Sequence, residues 1–217
     1  MKKVALIVAG GKGRRMQSKI PKQFLLLNKL PILMHTIGAF SHFEEIVLVL
    51  PKAHFDYWEQ LCKKHNFNTT HTLIEGGENR FHSVKNGLAK IDGDSIILIH
   101  DGVRPLVSKK LIDDLIKKTR KGVGTIPILP VTNSIRKVEG NYSKTINRNN
   151  LYQVQTPQCF LLSDIKSAYN QKYSSHFTDD SSVFESRKLE IKTIVGERRN
   201  LKITSQEDLK IAQVFIQ

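Results

Sequence analysis

Three short stretches of the chain are apolar at every position: VALIV at residues 4–8, IVLVL at 46–50 and IILI at 96–99. A half-exposed strand alternates apolar and polar residues, whereas a strand covered on both faces does not. These runs therefore predict buried strands of a mostly parallel sheet. Elsewhere the apolar positions recur three and four apart. Phe55, Trp58, Leu61 and Cys62 are spaced in this way, as are Val84, Leu88 and Ile91, and Leu111, Ile112, Leu115 and Ile116. That spacing gathers the apolar side chains on one face of a helix. Strands alternating with such helices predict βαβ units and a doubly wound α/β sheet.

The pattern changes after Pro130. Ile135-Arg136-Lys137-Val138 alternates, and Gly140-Asn141 follows as a turn, so residues 133–152 predict a β-hairpin and a further extended piece. An antiparallel excursion from an α/β core is an arm, and arms often serve dimerisation. The α/β pattern then resumes, with a helix over 161–169, a strand over 191–194 and a closing helix over 205–216. Ser205, with Asp208 three residues on, has the form of a capping box. The expected organisation is a single domain over 1–217 with a β-arm inserted at about 132–153.

A chain of 217 residues with 40% hydrophobic and 25% charged residues has the composition of a globular protein, not of a collagenous or disordered one. Lys and Arg number 34 against 20 Asp and Glu, a net charge of +14. That excess calls for an anionic partner: nucleic acid, a membrane surface or a polyanionic small molecule. Cys62 and Cys159 form no CxxC pair, which predicts neither a disulfide framework nor a cysteine metal site. Met1-Lys2-Lys3 and the apolar run after it imitate a signal peptide, but the run is short and a glycine-rich basic segment follows it. No stretch approaches the ~20 apolar residues of a transmembrane helix. A reducing cytoplasm is the expected compartment. The eight histidines form no HExxH pattern, and there is no GxSxG elbow.

Candidate chemistry begins directly after the first run. Ala9-Gly10-Gly11-Lys12-Gly13-Arg14-Arg15-Met16 supplies glycines whose backbone N–H groups can approach phosphate oxygens, and basic residues to pair with them. It is neither a Walker A loop nor a dinucleotide fingerprint, since Met16 stands where the third Gly or Ala belongs. Lys22, placed rigidly after Pro21, is a further cation within loop reach of the same phosphates or simply part of a surface turn. Asp101 ends the third apolar run, where doubly wound sheets bind ligands. One carboxylate there can hold Mg²⁺ together with substrate phosphates, or it can form a loop salt bridge with Arg104. Gly76-Gly77 opens a helix carrying Ser83, a donor set for an anion or a base edge or simply a turn and cap. Thr156 follows an extended piece, Thr178 reads as an N-cap followed by acids, and Lys202 precedes the last helix.

The motifs form an ordered series: AGGKGRRM at 9–16, PKQF at 21–24, GGENRFHSV at 76–84, HDGVRP at 100–105, QTPQ at 155–158, TDDSS at 178–182 and NLKIT at 200–204. The opening pair resembles the sugar-nucleotide nucleotidyltransferase superfamily. The whole series, from first strand to last helix, resembles the 2-C-methyl-D-erythritol 4-phosphate cytidylyltransferases of the non-mevalonate isoprenoid pathway. The resemblance implies a Rossmann-like nucleotidyltransferase fold and an enzyme that joins CTP to a polyol phosphate with Mg²⁺, releasing pyrophosphate. It assigns Ala9, Gly10, Gly11 and Gly13 to the nucleotide, Arg15 and Lys22 to charge at the α-phosphate, and Gly76, Gly77 and Ser83 to cytosine and ribose. Asp101 falls at the metal, with Gly102 and Arg104 beside it. Arg148 and Ser134 lie on the arm, with Arg148 reaching the sugar phosphate of a neighbouring subunit. Thr156, Thr178 and Lys202 match the remaining substrate contacts.

The chain departs from the family pattern in three places. Gly102 replaces an alanine, which is tolerable if only the backbone is used. Asp180-Ser181 replaces Glu-Ala, with no consequence expected for Thr178, and Asn133-Ser134 replaces Asp-Thr on the arm. Ribitol 5-phosphate cytidylyltransferase shares nearly all these motifs and is the alternative within the same chemistry. A basic nucleic-acid-binding protein is the alternative from another class. Against it, the basic residues are scattered, aromatics are 7%, and no RRM, KH or zinc-finger signature appears. An inactive scaffold is opposed by basic residues at all the matched positions. Membrane contact is not expected.

Overall fold

The computed structural model describes residues 1–11 and 20–216. In chain order the elements are β1 (Lys2–Val8), β2 (Leu26–Leu27), β3 (Leu30–Pro31), α1 (Ile32–Gly38), β4 (Glu45–Leu50), α2 (Phe55–Lys64) and β5 (Thr72–Glu75). They continue with α3 (Arg80–Leu88), β6 (Ser95–Asp101), α4 (Lys109–Lys118), β7 (Val123–Pro130), β8 (Ile135–Glu139) and β9 (Tyr142–Ile146). The last are β10 (Tyr152–Val154), β11 (Gln158–Leu161), α5 (Leu162–Tyr169), α6 (Asp180–Glu185), β12 (Glu190–Val195) and α7 (Gln206–Phe215).

The three apolar runs are the central strands. β1 lies between β4 and β6, parallel to both, and β5 extends the sheet beyond β4. Alternate residues of β1 feed two different cores. Ala5 and Ile7 pack with Met34, Trp58 and Leu111 of α1, α2 and α4, whereas Val4 and Leu6 pack with Val84, Ile165 and Phe184 of α3, α5 and α6. Helices on both faces explain why these strands carry no polar alternation.

The other half of the sheet is mixed. β11 runs antiparallel between β6 and β7, β10 pairs antiparallel with β7, and β12 pairs parallel with β7 along its outer side. β8 and β9 form a separate hairpin closed by Gly140-Asn141, with Gly140 at φ 56°. All its residues except Ile135 and Ile146 are exposed. The Ser205 capping box is present at the start of α7. At α6, however, the cap is Asp179 and not Thr178. Its side chain accepts from Ser182 N, and Ser182 Oγ donates back to the Asp179 carbonyl. Cys62 packs against the core, and Cys159 is buried within it.

Candidate functional site

The chain leaves β1 at Val8-Ala9-Gly10-Gly11, among the carboxyl ends of its parallel neighbours. Ala9 N donates to Val49 O at 2.9 Å, Gly102 N to Val8 O at 2.9 Å and Gly76 N to Leu50 O at 2.8 Å. These bonds tie four loop segments into one rim, and a cleft of about 430 Å³ opens beside it. Ala9, Gly10, Gly11, Gly77 and Ser83 line one part of the cleft, and Lys22, Arg80, Asp101 and Lys202 line another. This is the position that doubly wound sheets reserve for ligands.

Asp101 is the electrostatic centre. Lys202 Nζ lies 3.1 Å from its Oδ2, Arg104 Nε lies 3.2 Å from the same oxygen, and Arg80 Nε lies 3.8 Å from Oδ1. Burial alone would raise the carboxyl pKa. The Arg80, Lys202 and Arg104 charges outweigh burial and hold it well below the usual carboxylate range. Asp101 forms the loop salt bridge with Arg104 and also lines the cleft.

Beneath Asp101 the floor is polar and closed. Thr156 Oγ1 accepts from Asp101 N at 3.0 Å and lies 3.1 Å from His100 Nδ1, while His100 Nε2 lies 3.0 Å from Arg104 O. Burial drives the His100 pKa down to about 4, so the ring is neutral near pH 7. Arg104 Nη1 donates to Asn200 O at 2.9 Å, and Asn200 Nδ2 donates to Thr156 O at 2.8 Å. The segment carrying Lys202 is thereby tied to the strand carrying Asp101. Lys22 Nζ donates to Ile203 O at 3.1 Å, joining the same segment from the other side.

At the glycine end, Asn79 caps α3 by accepting from His82 N at 3.1 Å. Ser83 Oγ donates to Asn79 O at 2.9 Å and accepts from Gly77 N at 3.1 Å. A Cβ on Gly77 would fall 2.4 Å from His82 Cβ, so the loop can fold back on its helix only with glycine there. Gln23 Nε2 donates to Ala9 O at 2.9 Å and fixes the glycine loop where it leaves the sheet.

The sequence profile of the 2-C-methyl-D-erythritol 4-phosphate cytidylyltransferase family matches residues 3–217. The chain belongs to that family. It is 47% identical to the 2-C-methyl-D-erythritol 4-phosphate cytidylyltransferase of Azobacteroides pseudotrichonymphae, covering 99% of this chain and 98% of that one. It is 44% identical to the protein of the same name from Bacteroides fragilis, over 100% of both. Among solved structures, the Francisella tularensis 2-C-methyl-D-erythritol 4-phosphate cytidylyltransferase superposes with a TM-score of 0.82 at 29% identity, covering 99% of each chain. Membership favours neither ribitol phosphate as acceptor nor nucleic-acid binding.

In this cytidylyltransferase the predicted residues divide into several groups. Ala9, Gly10, Gly11, Lys22, Gly77, Ser83, Asp101 and Lys202 meet in the cleft. Gly76, Gly102, Arg104 and Thr156 stand behind it as supports. Gly102 does more than lend its backbone: a Cβ there would lie 2.7 Å from Ala9 Cβ. Thr178 is exposed and is not in the cleft lining. Ser134 and Arg148 are exposed around the hairpin, with Arg148 Nη1 donating to the Thr132 carbonyl. Gly13 and Arg15 lie outside the described residues. Arg80 is the cleft cation that the motif reading passed over. Asn79 is a recognisable N-cap before an apolar-periodic run, which would have placed Arg80 in the first helical turn at the cleft.

Proposed function

We propose that this cleft carries out the family reaction on CTP and 2-C-methyl-D-erythritol 4-phosphate, giving 4-diphosphocytidyl-2-C-methyl-D-erythritol and pyrophosphate for isoprenoid precursor synthesis. A phosphate oxygen of the acceptor forms a bond to the α-phosphorus of CTP, and the bond from that phosphorus to the β-phosphate bridge oxygen breaks. The observation that carries the proposal is a cleft in which a glycine rim meets Lys22, Arg80 and Lys202 around one buried aspartate. Attacker and target are both anions, so repulsion is the main obstacle and fixed cations are the remedy. No protein nucleophile is required, because orientation and charge neutralisation suffice.

In this reading Ala9, Gly10, Gly11 and Gly13 take the nucleotide, with Gly76, Gly77 and Ser83 at its base and ribose and Gly102 closing the rim. Arg15, Lys22 and Lys202 face the α-phosphate and the departing pyrophosphate. Among the described residues no three His, Cys, Asp or Glu side chains cluster as a metal site. Asp101 alone still suits Mg²⁺, which takes one or two carboxylates and completes its shell with phosphates and water. Among the described residues Asp101 Oδ1 has no hydrogen-bond donor within reach, Arg80 Nε lying 3.8 Å away, and it would be the oxygen to face the metal. Bound there, the metal would neutralise and orient the nucleotide phosphates. Arg104 and Thr156 hold Asp101 for that purpose.

A single domain with an arm at about 132–153 is our reading of the chain, and a homodimer is our reading of the arm. The exposed hairpin supports it: Arg148 and Ser134 of one subunit would hold the acceptor phosphate in the other's cleft, with Thr178 as a further contact. No helix among the described residues is long and apolar enough to cross a membrane, which fits the proposed cytoplasmic site of action. The test is pyrophosphate release with CTP and Mg²⁺, run in parallel with methylerythritol 4-phosphate and ribitol 5-phosphate. Release with the first alone is expected. Release with ribitol phosphate alone would overturn the acceptor assignment.

A further inference from the structure

Arg80 is an unusual residue for its position. It begins α3, where the helix dipole is positive and a cation is unfavourable. The fold answers with the start of a second helix. Asp180, first residue of α6 and 0% exposed, accepts from Arg80 Nη1 at 2.9 Å through Oδ1 and from Nη2 at 2.6 Å through Oδ2. The two residues are 100 positions apart in sequence. A carboxylate so deeply buried needs its lone pairs filled, and Tyr169 of α5 fills one: its hydroxyl donates to Asp180 Oδ1 at 2.6 Å. The Tyr169 ring stacks on Phe81, the residue after Arg80, at 4.8 Å between centroids. With both terminal nitrogens held by Asp180, Arg80 turns its Nε toward Asp101 Oδ1.

We infer that Tyr169 and Asp180 are positioning residues that hold Arg80, and through it Asp101, in the geometry that receives the nucleotide. The inference rests on the reading of the cleft as a CTP site. The bidentate grip fixes the guanidinium as a stationary charge at the cleft wall. Without it, Arg80 is free to close on Asp101, whose carboxylate already carries Lys202 and Arg104 on Oδ2. The oxygen proposed to face the metal would then be occupied by a competitor of the same sign. Tyr169 never touches substrate in this scheme; it acts through two intervening side chains.

The test compares wild type, Tyr169→Phe, Arg80→Ala and the double variant by calorimetric CTP binding with Mg²⁺ and by steady-state kinetics. Tyr169→Phe keeps the ring stack and removes only the hydroxyl. We expect it to weaken CTP binding about tenfold and to raise the KM for CTP in step, since it strips one hydrogen bond from a charged group. The KM for methylerythritol phosphate should stay unchanged. In the Arg80→Ala background the same substitution should have no further effect, a result that loosened packing would not give. CTP binding by Tyr169→Phe equal to wild type, or an undiminished effect without Arg80, would overturn the inference. If Tyr169→Phe does not fold, Asp180→Asn serves as the isosteric variant, with the same expected loss of CTP affinity and the same two overturning results. A wild-type chain that binds no CTP would instead sink the reading on which the inference stands.

Discussion

Gly102 offers a test of how tightly the nucleotide rim is built. An added Cβ would stand 2.7 Å from Ala9 Cβ and 3.1 Å from Leu33 Cδ1, against the roughly 3.5–4.0 Å of an ordinary carbon contact. Neither neighbour can yield easily. Leu33 is fully buried, while Ala9 is held by its N–H to Val49 and its carbonyl to Gln23. Overpacking of this kind costs about 1–3 kcal/mol. Replacing glycine by alanine also restricts the unfolded chain, which offsets about 0.4–1 kcal/mol of that. The net expectation for Gly102→Ala is a loss of about 1–2 kcal/mol, and at this chain length a fall in Tm of about 2–8 °C. Because the strain falls on Ala9, CTP affinity should fall as well. Ala9→Gly introduced alongside removes the colliding methyl and should recover most of the Tm. Thermal unfolding followed by circular dichroism, with CTP titration, reads both variants against wild type. A single variant as stable as wild type, or more so, would refute the argument that the rim has no room for a methyl group.

Lys22→Ala should leave the circular dichroism spectrum intact and reduce turnover by orders of magnitude, and near-normal turnover would remove Lys22 from the α-phosphate. Mixing Arg148→Ala chains with Lys22→Ala chains should restore part of the activity, since one mixed cleft would have both residues; no recovery after proven subunit exchange would count against a shared site. His100 has a folded pKa of about 4 against an ordinary 6.5, so the folded state binds fewer protons between those values. Its contribution, about 3 kcal/mol at one pKa unit per 1.36 kcal/mol, is present above pH 6.5 and is lost as the pH falls toward 4. Urea unfolding across that range should show a slope that His100→Gln flattens. Asp101 behaves alike at lower pH: any stability difference between wild type and Asp101→Asn should shrink as the pH drops below 3.8.

The parallel half of the fold was plain in the sequence because burial on both faces leaves unbroken apolar runs, and β1, β4 and β6 are those runs. The hairpin and the Ser205 cap were equally plain, since turn and cap chemistry is local. β7 was not, because VGTIPILP carries a glycine and two prolines, which usually argue against a strand. Nor was α1, whose ILMHTIG is apolar on nearly every side and shows no helical face. At the site, residues contributed by one loop were found, whereas those defined by pairing were not. Arg80 and Asp180 meet only because α3 and α6 start side by side. The bonds that Thr156 and Arg104 make to Asp101 likewise join residues from different segments or depend on loop geometry, which spacing does not encode.

The order in which the site's charges appear along the chain has a consequence for synthesis. Asp101, Arg104 and Arg80 lie in the first half, whereas Lys202 follows β12, the last strand of the sheet. Lys202 arrives together with the Asn200 carbonyl that Arg104 needs and the Ile203 carbonyl that Lys22 needs. A chain still growing on the ribosome can therefore assemble the central strands while its cleft lacks a cation and two backbone acceptors. The scaffold precedes the full set of charges, and the last cation at Asp101 waits for the final stretch of the chain.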